Sequence, residues 1–347
     1  MSRILVGSAT KFQNAFHDDI TTYINGGILS RSDLYLSVFS PWLTFTRYAK
    51  AIIQKYKRLW AEIPTSTTSK LNVQIELYEG ENRHVQQMVS FLSEHLKDDL
   101  IGAYVHGSLA TCEEIAYSDF DALVILKDEV FESSQRLTLT ARKLNSARTI
   151  MLDFDPLQHH GWFVLSESDL RYYCNAYFPV ELFKYAKSLF DDRGLELEIA
   201  LRESSSETRT AFEKMAEAII SKIANRRYLT NVYQLKSLLS KFMLLPALYI
   251  QARDRRGIYK KESFALARAD FDSSDWTIMD EVSKIRMNWN YEISALTKWM
   301  MCRPHVLSRY FARRFGPAIP EKIGSVLTAE FYSGMEKLAS RMEEMLA

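Results

Sequence analysis

The sequence predicts an α+β protein: a small mixed sheet, with a helical N-terminal extension before it and an all-helical C-terminal domain after it. Three observations predict this. Residues 48–60 place Ile52, Tyr56, Leu59 and Trp60 on one face at helical spacing. Between residues 71 and 190 short apolar or alternating runs recur, divided by polar and turn-forming stretches, as strands do. Beyond about residue 196 the pattern reads almost entirely helical. The corresponding segments are 1–80, 81–195 and 196–347, within the two or three domains that 347 residues allow.

Taken in order, the first seventy residues read mostly as helix. Pro64 to Ser69 is a polar break and the best candidate linker. Leu71 to Leu77 alternates as a half-buried strand does. From His84 to Leu96, Val85, Met88, Val89 and Leu92 keep helical phase. Ile101–Val105 and Phe120–Leu126 read as strands, and Glu132–Ala147 as a helix. Thr149–Phe154 reads as a third strand and Gly161–Leu165 as a fourth. Tyr185–Phe190 is placed to close the sheet. Tyr233 to Arg253 is one long helical stretch that Pro246 should kink or divide.

Composition narrows the function classes. With 47% apolar and 25% charged residues the chain is globular, and 12 glycines and 8 prolines exclude fibrous readings. Cys112, Cys174 and Cys302 are too scattered for a disulfide framework or a CxxC site, which favours the cytoplasm. No apolar run reaches the roughly 18–20 residues of a membrane span, and the first residues lack the apolar core of a signal peptide. There is no repeat and no low-complexity tract. The net charge of +1 gives no overall field for a polyanion. That total conceals a division. Residues 101–200 carry 9 basic and 16 acidic groups, and residues 201–347 carry 24 and 17. An acidic middle joined to a basic end suggests a cleft with carboxylates on one wall and cations on the other.

The stretch that carries chemistry runs from Val105 to Leu126. A strand enters Gly107-Ser108, ten residues intervene, and a second strand opens with Asp119-Phe120-Asp121. Gly107 allows close backbone approach and Ser108 adds a hydroxyl, so this turn can cradle phosphate oxygens. Asp119 and Asp121, two apart on a strand, present both carboxylates to one side. Two such carboxylates repel unless a cation intervenes. A hard cation with oxygen ligands, Mg²⁺ above all, resolves the repulsion and also binds a triphosphate. Two such ions activate an attacking hydroxyl and stabilise departing pyrophosphate.

Gly107-Ser108 followed by Asp119-Phe120-Asp121 at the head of an apolar strand resembles the signature of the DNA polymerase β-like nucleotidyltransferase superfamily. It looks most like the compact bacterial members of the aminoglycoside adenylyltransferase type. The resemblance covers about residues 85–190 and is carried mainly by positions 106–126. It implies a nucleotidyltransferase core, a metal site of two Mg²⁺ ions on Asp119 and Asp121, and a third carboxylate on a neighbouring strand. Asp153 and Asp155 both qualify for that third place, with a slight preference for Asp155. The resemblance also implies Lys and Ser contacts to the triphosphate from the helical C-terminal domain, and Lys241, Lys260 and Ser263 are the candidates. Ser263 stands just before an apolar run, near a helix start that favours anions.

Other features weigh less. His159 and His160 adjoin the third carboxylate, where one could touch substrate or shuttle a proton. No further ligands at zinc spacing follow them. His106 is at best a supporting residue. Lys236 shares the long helix with Lys241. Met243, Leu244, Leu245 and Leu248 read as core. Arg303, Arg309, Arg313 and Arg314 alternate with Tyr310, Phe311 and Phe315, a pattern that can bind single-stranded nucleic acid or simply mark a basic helix. No GxxxxGK[ST], GxGxxG or GxSxG motif is present.

The leading expectation is an Mg²⁺-dependent nucleotidyltransferase moving a nucleotide, AMP from ATP by preference, onto a hydroxyl with release of pyrophosphate. Near-neutral total charge favours a small-molecule acceptor. The alternatives are a toxin that modifies RNA or protein, a cyclic oligonucleotide synthase, and a non-catalytic nucleotide-binding scaffold.

Overall fold

The structure is a computed structural model and describes residues 2–30, 38–63, 69–226 and 229–346. Helix α1 spans Ser2–Ile24 and α2 spans Pro41–Glu62. On α2, Ile52, Tyr56 and Leu59 are buried with Trp60 partly covered beside them, the face that the spacing predicts. The polar break at 64–69 falls on residues 64–68, outside the described residues. The strand expected over 71–77 is two pieces, β1 (Ser69–Gln74) and β2 (Glu76–Leu77), which join different sheets. Helix α3 (Arg83–His95) starts where the Asn82 side chain accepts the His84 N–H, and it buries Val85, Met88 and Leu92.

Strands β3 (Leu100–Val105) and β4 (Ala122–Leu126) run antiparallel at the centre. Every residue of β4 is buried, so the strand reads as a continuous apolar run rather than an alternation. Helix α4 spans Ser134–Phe154, capped at its start by Ser133. It overturns the strand expected over Thr149–Phe154. Nothing between Ala147 and Phe154 breaks a helix, and Met151 and Leu152 simply continue its buried face. Pro156 is what stops it, because the residue before a proline is pushed out of the helical region. Asp155 obeys, with φ −136° and ψ 104°. Strand β5 (Trp162–Ser166) then lies parallel to β4. Asn25 covers its outer edge, donating to the Trp162 carbonyl at 2.9 Å and accepting the Trp162 N–H at 2.8 Å. Strand β6 (Lys187–Ser188) pairs with β3 and β2, and the five-stranded order is β2-β6-β3-β4-β5.

Strand β7 (Glu196–Leu201) corrects a second expectation, that helix begins at about 196. Its residues alternate, with Leu197 and Ile199 buried and Glu196 and Glu198 exposed, and it pairs antiparallel with β1. Helices then follow: α5 (Ser205–Ala224), α6 (Val232–Phe242), α7 (Leu245–Asp254), α8 (Lys260–Arg268) and α9 (Ser273–Met287). After them come α10 (Ala295–Met301), α11 (Val306–Phe315), α12 (Glu321–Gly324) and α13 (Ala329–Leu346). Pro246 divides the long stretch between α6 and α7 as expected.

Three cores result. Helices α1 to α4 cover one face of the five-stranded sheet in a single core that includes Phe16, Ile52, Val85, Val124 and Leu144. On the opposite face Tyr104, Leu123 and Ile125 meet Phe178, Phe183 and Ile199. The C-terminal helices close around Phe212, Leu238, Trp276 and Met335, and Tyr117 and Leu157 reach into them from the sheet's loops. The N-terminal helices therefore share a core with the sheet, and the turn after β3 faces the C-terminal helices.

Candidate active site

The turn after β3 is built for close approach. Gly107 has φ +67°, and a Cβ there would lie 3.0 Å from Asp121 Oδ2. Only glycine combines that backbone with that proximity. The His106 N–H donates to the Asp121 carbonyl at 3.0 Å, which ties the end of β3 to the entry of β4. Ser108 donates its hydroxyl to Ser118 Oγ at 2.9 Å, and Ser118 Oγ accepts the Ile115 N–H at 3.0 Å. The loop thus closes on itself and brings Ser118, Asp119 and Asp121 back beside the turn.

Between the two carboxylates, Phe120 is gripped by one amide. Gln158 accepts the Phe120 N–H at 2.8 Å and donates to the Phe120 carbonyl at 2.8 Å, as a neighbouring strand would. Gln158 follows Asp155 in the tight turn that Pro156 opens, and the Asp155 carboxylate accepts the Leu157 N–H at 3.0 Å. So the segment that ends α4 sets the backbone between Asp119 and Asp121.

Lys236 of α6 completes the arrangement. Its Nζ lies 2.8 Å from Asp119 Oδ1 and 2.8 Å from Asp155 Oδ2, with no solvent exposure. It also sits 5.0 Å from the centre of the Tyr117 ring, and the Tyr117 hydroxyl donates to the Lys236 carbonyl at 2.9 Å. Burial disfavours the Lys236 charge, but the two carboxylates outweigh it and hold the ammonium. Burial likewise raises Asp119, yet the Lys236 charge pulls it well below the usual carboxylate range. Asp155 goes the other way: burial, and then the Asp119 charge, push it up to about 7 against the pull of Lys236. His159 is pushed down to about 3 by burial and stays neutral, stacked on Tyr233 with ring centres 4.7 Å apart.

The turn after β3 and the loop that leads to Asp121 border a cleft of about 730 Å³ between the sheet and the C-terminal helices. Gly107, Ser108, Asp119, Asp121 and Lys260 all line it. Lys260 opens α8, and burial, with the charge of Arg286 adding to it, lowers it to about 8. The other predicted residues are elsewhere. Lys241 does not line the cleft, and its charge falls on Lys222, which burial, Lys241 and Arg313 push down to about 8. Five residues beyond Lys236, it points to a different side of α6. Ser263 is fully buried and its hydroxyl donates to the Lys260 carbonyl at 2.6 Å, inside its own helix. Asp153 projects from the exposed side of α4 and pairs with His84 at 3.3 Å and Lys298 at 3.4 Å. Asp155 stands behind Asp119 and does not line the cleft. None of Arg303, Arg309, Arg313 and Arg314 borders the cleft, and Arg303 stacks on Trp299 instead. Met243, Leu244 and Leu248, read as core, line the cleft, and Leu245 alone of that group is buried away from it.

The sequence does not single out Arg286, Lys261 or Gln158, and it marks Lys236 only as sharing a helix with Lys241. Arg286 lines the cleft with its guanidinium 4.8 Å from the Tyr117 ring centre, and Lys261 forms an ion pair with Glu113 at the rim. Gln158 carries no signal readable from one sequence. Lys236 carries one: it falls among Val232, Leu235 and Leu239, the buried face of α6. A charge on an apolar face demands a buried counter-charge.

The donor set fits a hard cation in part. Among the described residues the Asp121 carboxylate has no hydrogen-bond or ion-pair partner, and Asp119 faces the same cleft. Mg²⁺ commonly takes one or two carboxylates and fills its octahedron with water and substrate phosphate. A three-carboxylate chelate is not formed: among the described residues no three His, Cys, Asp or Glu side chains stand close enough together. Lys236 occupies the place between Asp119 and Asp155 that such a chelate would use.

Among solved structures, spectinomycin adenyltransferase AAD(9) from Enterococcus faecialis, with ATP and spectinomycin, is similar over 65% of this chain and 99% of its own. The identity is 12% and the TM-score 0.37, a likeness too shallow to decide fold or chemistry. No family model and no curated protein matches the chain.

Proposed function

We propose that the protein is a nucleotidyltransferase that moves a nucleoside monophosphate, AMP from ATP by preference, onto a hydroxyl of a small molecule and releases pyrophosphate. One observation carries the reading: the Gly107-Ser108 turn, the Asp119 and Asp121 carboxylates, and the cations Lys260 and Arg286 all line one cleft. Carboxylates on one wall and cations on the other suit a metal-bound triphosphate.

Each group has a part. The Gly107 turn, open because no Cβ intrudes on Asp121, receives phosphate oxygens against its N–H groups. Asp119 and Asp121 are the residues that would hold Mg²⁺, which when bound supplies charge neutralisation at the phosphates. Lys260 and Arg286 face the departing pyrophosphate charge. Gln158 fixes the Phe120 backbone so that the two carboxylates keep their spacing. Asp155 holds Lys236, and Lys236 holds Asp119. The acceptor hydroxyl attacks the α-phosphorus in line with the leaving oxygen; the bond from that phosphorus to the oxygen it shares with the β-phosphate breaks, pyrophosphate departs with that oxygen, and the hydroxyl proton passes to solvent water.

The engagement of Asp155 by Lys236 favours a second reading, a nucleotide-binding protein without transfer. One experiment separates them. The protein is incubated with each NTP labelled at the α-phosphate, Mg²⁺ and a cell extract, with Asp119→Ala/Asp121→Ala as control. Transfer of label with pyrophosphate release, lost in the double variant, supports the transferase. Unchanged transfer in that variant removes the metal-site assignment. Saturable ATP binding without transfer leaves the binding protein.

A further inference from the structure

The cleft beyond the carboxylates is mostly apolar. Phe163, Phe178 and Leu182 form its sheet-side wall, and Met215, Leu248 and Phe264 face them from the C-terminal helices. Asp121 apart, its charges are engaged or cationic. Of the carboxylates that line it, Glu113 pairs with Lys261 and Asp119 with Lys236, leaving Asp121 alone. Lys260 and Arg286 add positive charge. The hydroxyls are also spent: Ser240 is 2.8 Å from the Tyr117 hydroxyl, and Ser283 donates to the Met279 carbonyl at 2.8 Å. Two buried polar side chains remain, besides the exposed His160 at the margin. His106 and Gln251 are 8% and 5% exposed, border the cleft, and have no side-chain hydrogen-bond partner among the described residues.

A polycationic aminosugar would find one free carboxylate here, the one a nucleotide's metal would claim, and two like charges. A polyol would bury most of its hydroxyls against carbon, which is costly without partners. A ring system with one or two hydroxyls suits the wall, and its polar groups match the number of vacant side chains. A hydroxyl also suits His106 Nε2 in either tautomer, because it both donates and accepts. Resting on the transferase reading, we infer that the acceptor is an uncharged hydroxyl compound with a largely apolar or aromatic body, seated between Phe178 and Leu248 and anchored by His106 and Gln251.

The test uses the full chain and ligand-observed saturation-transfer NMR, with 2-naphthalenemethanol as the apolar probe and kanamycin as the polycation. ATP binding is measured separately in the presence of Mg²⁺. The probe is expected to bind with ATP present, and kanamycin to give no signal. Met215→Glu and Leu248→Glu should each weaken the probe about tenfold, and since both residues are only partly buried and lie on different helices, either variant that stays folded decides the point. Kanamycin binding more tightly than the probe overturns the inference. So does a probe signal that neither variant changes, or one that ATP abolishes, since the wall then belongs to the nucleobase. Failure of ATP to bind removes the transferase reading, and the probe comparison still decides the chemistry of the wall.

Discussion

Replacing Lys236 with methionine removes an ammonium and keeps the side-chain length. In the native fold Nζ is 2.8 Å from a carboxylate oxygen of both Asp119 and Asp155, away from solvent. Removing one partner of a buried ion pair costs about 3–5 kcal/mol, because the remaining charge has no solvent to return to. Here two carboxylates are left facing each other, which places the loss toward the upper end of that range. For a chain of 347 residues, at about 2.1 cal/mol/K of unfolding entropy per residue, roughly 1.4 °C is lost per kcal/mol, so melting should fall by on the order of 5 °C. The sign of the pH dependence follows. Asp155 already stands at about 7 through burial and the Asp119 charge. Without the ammonium the pair holds a proton in the folded state that the unfolded chain releases near its ordinary 3.8. A folded value above the unfolded one means stability is present at low pH and lost as pH rises through the folded value. The variant should therefore lose more stability at pH 8 than at pH 5. Adding Asp155→Asn removes one of the two facing charges and should restore about 2 kcal/mol, a coupling measurable in a double-mutant cycle. Urea unfolding at both pH values reads all of these. A loss below about 1 kcal/mol at pH 8, equal losses at both pH values, or strict additivity with Asp155→Asn would refute the buried triad.

Three further outcomes are expected. Gly107→Ala places a side chain in the left-handed region, which costs about 1–2 kcal/mol, and its Cβ displaces the Asp121 carboxylate at 3.0 Å; ATP titration should show affinity down roughly tenfold, with only a small change in melting. Asp153→Asn weakens the pairs that a half-exposed carboxylate makes with His84, Lys298 and Arg83 and should change label transfer and stability little, within about 1 kcal/mol, while Asp155→Asn lowers transfer severalfold or more; equal effects would remove the distinction drawn between them. Burial holds Lys260 at about 8, so its charge is present below that pH and lost above it; triphosphate affinity should decline as pH rises through about 8, and Lys260→Gln should flatten that profile.

The stretch from Val105 to Leu126 was legible because its information is local. A positive-φ glycine, a loop of fixed length and two carboxylates at strand-like spacing are set by neighbours within twenty residues. The end of α4 was not. Thr149 and Ile150 favour strands by propensity, but the helix already under way carries them on until Pro156 stops it. That error changed the meaning of Asp153 and Asp155. On a strand they would share a face. On a helix end, one points to solvent and the other turns back to Lys236. Lys236 and Lys241 are hard to tell apart in the sequence for a related reason. Both lie on α6, and only the direction in which its apolar face is buried tells which of them is drawn in beside Asp119. The apolar wall with Met243 and Leu248 was illegible outright, since a core residue and a cleft residue look alike until the helices are assembled.

The charge division read from the sequence acquires a structural meaning through Lys236. The acidic middle supplies Asp119, Asp121 and Asp155, and the basic C-terminal part supplies the ammonium that holds two of them. A buried carboxylate pair without that ammonium is unfavourable, so the sheet's loops and the C-terminal helices depend on each other for the same cation. The N-terminal helices are drawn into the same dependence. His17 of α1, itself bonded to Asp169 at 2.9 Å, stacks on Tyr177 with ring centres 4.3 Å apart, and Thr21 is 2.7 Å from the Tyr177 hydroxyl. Tyr177 lines the cleft beside Phe163 and Phe178. Thus α1 braces the wall where an acceptor would lie, while α6 holds the carboxylates where a nucleotide would lie. Loosening α1 by His17→Ala should therefore disturb acceptor use before nucleotide affinity, and Lys236→Met the reverse. If both variants weaken ATP binding alike, the cleft is one undivided site and not two adjoining ones.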